Sequence, residues 1–98
     1  MSLRDATRLR LEETLGQVPY DDLRAHLDRD AVFLVDAGVS LLDCAVSIAM
    51  DDVESVRAWI DARQIRKPSR QERKDWPACE GRLWWAVVVE PYLLVQNP

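Results

Sequence analysis

Glycine is scarce in this sequence, with three in 98 residues, and histidine occurs once. The isolated Gly16, Gly38 and Gly81 cannot build a glycine-rich phosphate cradle, and neither a G-x-G-x-x-G nor a Walker pattern is present. One histidine, His26, and two distant cysteines, Cys44 and Cys79, fall short of a tetrahedral soft-ligand metal site. His26 lies between Ala25 and Leu27 in a helical stretch. No spacing sets it beside Cys44 or a serine, so a structural histidine is expected rather than a Ser–His–Asp or Cys–His centre. Asp28-Arg29-Asp30 begins like a calcium loop, but positions 31–35 are all apolar and hold no glycine. The acidic pairs Asp21-Asp22 and Asp51-Asp52 sit at expected helix starts, where capping and the helix dipole account for them. Catalysis is not expected, nor is a cofactor, a metal or a small-molecule ligand.

Long apolar runs are missing as well. The longest, Leu83 to Val89, has seven residues, against the roughly 20 that a membrane-spanning helix needs. No N-terminal stretch joins a basic start to a long apolar segment, so no signal peptide is expected. The cysteines lack a C-x-x-C spacing, and two free thiols in a reducing cytoplasm follow. Cys44, within Leu41-Leu42-Asp43-Cys44-Ala45-Val46, reads as a small buried hydrophobe, and Cys79 as a loop residue beside Glu80. Apolar residues make up 48% of the chain, enough for a packed core rather than disorder. Neither repeats nor a linker appear, so residues 1–98 are taken as a single domain.

Thirteen basic and seventeen acidic residues leave a net charge of −4, which disfavours general binding to nucleic acid or anionic membranes. Residues 1–56 hold five bases against twelve acids, whereas residues 57–98 hold eight against five. Most of that positive charge lies in Arg63, Arg66, Lys67, Arg70, Arg73 and Lys74. Such a stretch either forms a solvated face that balances the acidic half or docks an acidic partner.

Leu3, Thr7, Leu11 and Leu15 recur every four positions and predict an amphipathic helix ending at Gly16. Pro19 suits the first turn of a second helix, with Tyr20, Leu23 and Leu27 inward. Ala31 to Val35 is β-branched and aromatic, and reads as a buried strand. Ser40 opens a helix to Met50 that is apolar on nearly every side and so should be central. Asp51 with Glu54 marks the next N-terminus, with Val53, Val56, Trp59 and Ile60 expected inward. Gln64-Ile65-Arg66-Lys67 reads as a short extended exit, because Pro68 pushes Lys67 out of helical geometry. Ser69 to Glu72 is a capping box for a short basic helix. Leu83–Val89 and Tyr92–Val95 read as strands, with Glu90-Pro91 as a bulge, an edge kink or a tight corner. The fold class is α+β, with four to five helices packed on a small, mostly antiparallel sheet.

Two features bear on function. Residues 45–65 have the order of a helix-turn-helix, with the C-terminal strands as a conceivable wing. The would-be recognition helix offers Glu54, Ser55, Arg57, Ala58 and Asp61 outward, a poor match for phosphates. The second feature is the four tryptophans, two of them adjacent at Trp84-Trp85. Neighbours in a strand point to opposite faces, so either helices cover both faces or one indole stands exposed as a partner anchor.

The stretch Leu42-Asp43-Cys44-Ala45-Val46-Ser47-Ile48-Ala49-Met50-Asp51-Asp52, followed by Val56, Trp59-Ile60 and Ile65-Arg66-Lys67-Pro68-Ser69, resembles a small bacterial family. The ending Trp85-Ala86-Val87-Val88-Val89-Glu90-Pro91-Tyr92-Leu93-Leu94-Val95-Gln96 resembles it too. That family is known as domain of unknown function 2288, and the resemblance spans roughly residues 5–96. Arg63 departs from the pattern where a glycine would close the helix. The resemblance implies a bacterial cytoplasmic protein and transfers no activity and no site residue. The expected function is a non-enzymatic interaction or regulatory module, contacting a protein partner or a second copy through Arg66, Lys67, Arg70, Arg73, Lys74, Trp84 and Trp85. The alternative is DNA binding through residues 45–65.

Overall fold

Short polar side chains start most of the helices, and their positions punctuate the chain. The computed structural model describes residues 2–97. In order they form α1 (Leu3–Glu12), β1 (Gly16–Val18), α2 (Tyr20–Asp28), β2 (Val32–Val35), α3 (Leu41–Ala49) and α4 (Val53–Asp61). There follow β3 (Ile65–Arg66), α5 (Arg70–Asp75), a 3-10 turn at Trp76–Ala78, β4 (Trp84–Val89) and β5 (Tyr92–Gln96). Ser2 caps α1 by accepting from the Asp5 amide at 3.1 Å, and Ser40 caps α3 by accepting from Asp43 at 3.2 Å. Ser69 and Glu72 form a reciprocal capping box on α5.

The five strands make one sheet in the order β1-β4-β5-β2-β3. β5 pairs parallel to β2, and the other neighbours are antiparallel. The domain is α+β, as its sequence predicts. Glu90-Pro91 is the tight corner between β4 and β5, which pair from Val89↔Tyr92 to Trp85↔Gln96. Period-two alternation sorts the strand side chains onto two covered faces. Val35, Val87, Val89 and Leu94 pack with Leu11 of α1 and with Leu41, Cys44, Ala45 and Val46 of α3. Val32, Leu34, Trp84, Ala86, Leu93 and Val95 pack on the other face with Leu23 and Leu27 of α2 and with Trp76. Each fully buried aliphatic contributes roughly 1.5–3 kcal/mol, so both faces are needed for stability. α3 is the central helix that its composition implies, with Leu41, Cys44, Ala45, Val46 and Ser47 all buried.

Several boundaries differ from the sequence expectation. The first helix stops at Glu12 rather than running to Gly16, because the Thr14 amide and hydroxyl both donate to the Leu11 carbonyl, at 3.0 and 2.9 Å. Gly16–Val18 then pairs with the Trp84–Ala86 edge of β4. Pro19 is the N-cap of α2 rather than part of its first turn. The cap of α4 is Asp52, which accepts from the Ser55 amide at 3.3 Å and from its hydroxyl at 2.8 Å. Asp51 instead closes α3 at φ 58°. Leu3, on the apolar stripe of α1, is 72% exposed. The largest departure is α4, where no residue is buried and Val53 and Ile60 are 54% and 49% exposed. Among the described residues, Trp59 of α4 packs against the core, Val56 is half-buried, and Val53 and Ile60 are left open.

Candidate functional site

The basic stretch is held by acids of the same molecule. Arg66 grips Glu72 through both guanidinium nitrogens, at 2.6 and 3.1 Å. Lys67 and Arg73 converge on Asp30, the residue that closes α2, at 2.6 and 2.7 Å. Arg73 also donates to the Leu27 carbonyl at 3.3 Å. These pairs are solvent-exposed and individually weak. Together they tie α5 to the end of α2 and leave Arg63, Arg70 and Lys74 without an ion pair among the described residues.

The adjacent tryptophans divide between interior and surface. Trp84 is fully buried, 5.3 Å from Trp76 between ring centroids, with the Arg82 guanidinium 4.9 Å from its ring. Trp85 points to the opposite face and is 38% exposed. It borders a groove with Leu15, Ser40, Leu41, Leu42 and Gln96. Arg66 lies on the strand at the far end of the sheet, next to the inward Ile65 and on the opposite face from it. The exposed indole and the basic stretch are therefore not brought together.

A more pronounced surface lies between α3 and α4, and the sequence expectation missed it. A groove of about 410 Å³ is lined by Ser47 and Ile48 of α3, by Asp51 and Asp52 of the turn, and by Val53, Val56, Arg57, Ile60 and Asp61 of α4. Its apolar positions repeat at the helical period and so read as core. The one signal that they are not is the charge interleaved on the same face, Arg57 and Asp61. Asp52 takes hydrogen bonds from the Ser55 hydroxyl and then its amide, which hold its carboxyl below the usual range. Arg4 of α1 donates to Ser47 beneath the groove at 3.4 Å, and Arg8 is paired with Asp43.

The reactive side chains are apart. Burial, aided by the charge of Asp43, pushes the Cys44 thiol up to about 12, so thiolate chemistry is suppressed there. His26 accepts at Nδ1 from Arg29, 2.9 Å away. Among the described residues no three His, Cys, Asp or Glu side chains cluster as a metal site, and no helix is long and apolar enough to cross a membrane.

The α3–turn–α4 unit has helix-turn-helix order, but α4 sets Glu54 and Asp61 against Arg57 alone on its solvent side. A solved structure, the NMR solution structure of PA1075 from Pseudomonas aeruginosa, is similar at 29% identity. It superposes with a TM-score of 0.77, covering 99% of this chain and 86% of that chain. No curated protein matches the chain. The profile of the family described as "Protein of unknown function (DUF2288)" matches residues 6–97. The chain belongs to the DUF2288 family of proteins of unknown function.

Proposed function

We propose that this protein is a non-enzymatic interaction module of the bacterial cytoplasm, and that its contact surface is the α3–α4 groove. The observation that carries this reading is the uncovered apolar flank of α4, where Val53 and Ile60 stand exposed beside Ile48. Contiguous apolar surface rimmed by charge marks partner sites on soluble proteins. A binding role rather than a catalytic one is supported by the inert, buried Cys44 and by the engagement of His26 with Arg29. Two free cysteines suit a reducing cytoplasm, and the Pseudomonas relative suits a bacterial source. DNA binding gains no support from α4, whose acids oppose phosphate contact.

Capture from a host lysate tests the reading with three chains: wild type, Val53→Asp/Ile60→Asp and Arg70→Glu/Lys74→Glu. All four positions are exposed, so circular dichroism should be unchanged. Partners retained by the α5 variant and lost by the α4 variant are expected. Equal capture by all three chains would remove the groove from this role.

A further inference from the structure

We infer that the α3–α4 groove receives a basic amphipathic helix of a partner protein, a conclusion that rests on the interaction reading above. Val53, Val56 and Ile60 present apolar positions at i, i+3 and i+7, with Ile48 beside them. Over α4 that span is about 10 Å at 1.5 Å per residue, two helical turns, which is the pitch of helix-in-groove recognition.

The charge around this floor is one-sided. Among the described residues that line the groove, Asp51, Asp52 and Asp61 stand against one cation, Arg57, while Arg4, bonded to Ser47, offsets Asp52 alone. Asp51 and Asp61 are exposed and make no ion pair among the described residues. Both also stand at negative helix ends. Asp51 follows the C-terminus of α3 and Asp61 ends α4, and neither helix has a base in its last turn. Two uncompensated acids on two negative dipole ends flank an apolar floor, and a cationic helix with apolar anchors complements both.

The chain's own cations suit this place poorly. Arg4 and Arg8 are engaged with Ser47 and Asp43, and Arg70 and Lys74 lie on α5, which has no apolar side chain. α1 does expose Leu3 and Leu9 beside Arg10, but it also carries Asp5 and Glu12, and the net charge of −4 on each chain opposes a second copy. The occupant is therefore assigned to another protein rather than to a second copy.

The test titrates the full-length 15N-labelled chain with two 18-residue helical peptides. They share one leucine stripe; the polar face is lysine and arginine in one and glutamate in the other. Saturable micromolar binding of the basic peptide is expected, with shifts at Ile48, Asp51, Val53 and Ile60. Ile60→Glu and Asp51→Asn/Asp61→Asn should each weaken it at least tenfold, and added salt should weaken it further. Equal binding of the acidic peptide would overturn the inferred partner chemistry while leaving the groove a contact surface. Absence of shifts with either peptide, or shifts confined to Trp85, would overturn the inference and the groove reading together. Shifts on α4 that follow protein concentration without peptide would assign the face to a second copy and overturn the inference alone.

Discussion

Glu72 shows how much one carboxylate can hold. Its Oε1 accepts from the Ser69 amide at 2.8 Å and from Arg66 at 2.6 Å, while Oε2 accepts from Arg66 at 3.1 Å. The Arg66 hydrogen bond, with the Ser69 amide adding to it, holds the Glu72 carboxyl down to about 2 against an ordinary 4.5. A depressed carboxyl stabilises the fold above its unfolded pKa, and this contribution fades as pH falls from 4.5 towards 2. After solvent screening it is worth on the order of 1 kcal/mol. Glu72→Gln keeps the capping oxygen and removes the charge. It should lower stability by about 1 kcal/mol at pH 7 in urea denaturation. That difference should shrink steadily on acidification below 4.5. A deficit that stayed constant with pH would mean that packing, not charge, carries the effect. Trp84 illustrates the opposite compromise. Its indole N–H is buried without a partner, at a cost of roughly 1–3 kcal/mol. Close packing against Trp76 and the guanidinium of Arg82 offset that cost.

At the scale of elements, the scarcity of glycine reappears as strain. α2, α3 and α4 end in the same way, with left-handed residues Asp30, Asp51 and Arg63 at φ 57°, 58° and 60°. In each, paired amides return to the helix: Arg63 to Ile60 at 2.9 Å and Gln64 to Trp59 at 2.8 Å, for example. A side chain in this region costs roughly 1–2 kcal/mol, which glycine avoids at a cost of about 0.5–1 kcal/mol in unfolded-chain entropy. Arg63→Gly should therefore stabilise the protein by about 0.5–1 kcal/mol and raise Tm by a few degrees in a thermal melt. Asp30→Gly should gain least, because it gives up the contacts to Lys67 and Arg73. If Arg63→Gly lowered Tm, the left-handed position would not be the source of strain. At Arg63 the family resemblance pointed to a glycine closing α4, and the structure keeps both closing hydrogen bonds with arginine in that place. The capping box at Ser69 was legible in the sequence, and so, to within one residue at an end, were the strands at 32–35, 84–89 and 92–96, through local hydrogen bonding and β-branched runs. β1 was not, since its three residues pair only because β4 has an edge to offer.

For the whole molecule, the decisive step is the placement of the last strand. β5 sits inside the sheet, between β4 and β2, and supplies Leu93, Leu94 and Val95 to both faces. Removing it exposes both cores at once, so a chain ending at Glu90 should lose near-UV tryptophan dichroism and cooperative unfolding. Native-like spectra from that fragment would show that the β2–β5 pairing is dispensable. The parallel β2–β5 contact joins residues about sixty positions apart, a pairing that no local pattern encodes.

Sequence alone determined where α3 and α5 begin, which runs become interior strands, and that α3 is central. Those properties follow from bonds and periodicities a few residues long. Only the tertiary structure decided which indole reaches solvent, which cations of residues 63–74 are already neutralised, and that Val53 and Ile60 remain uncovered. Each of these depends on what lies beyond an apolar side chain, and a helical period reports that a face is apolar without reporting whether anything packs against it.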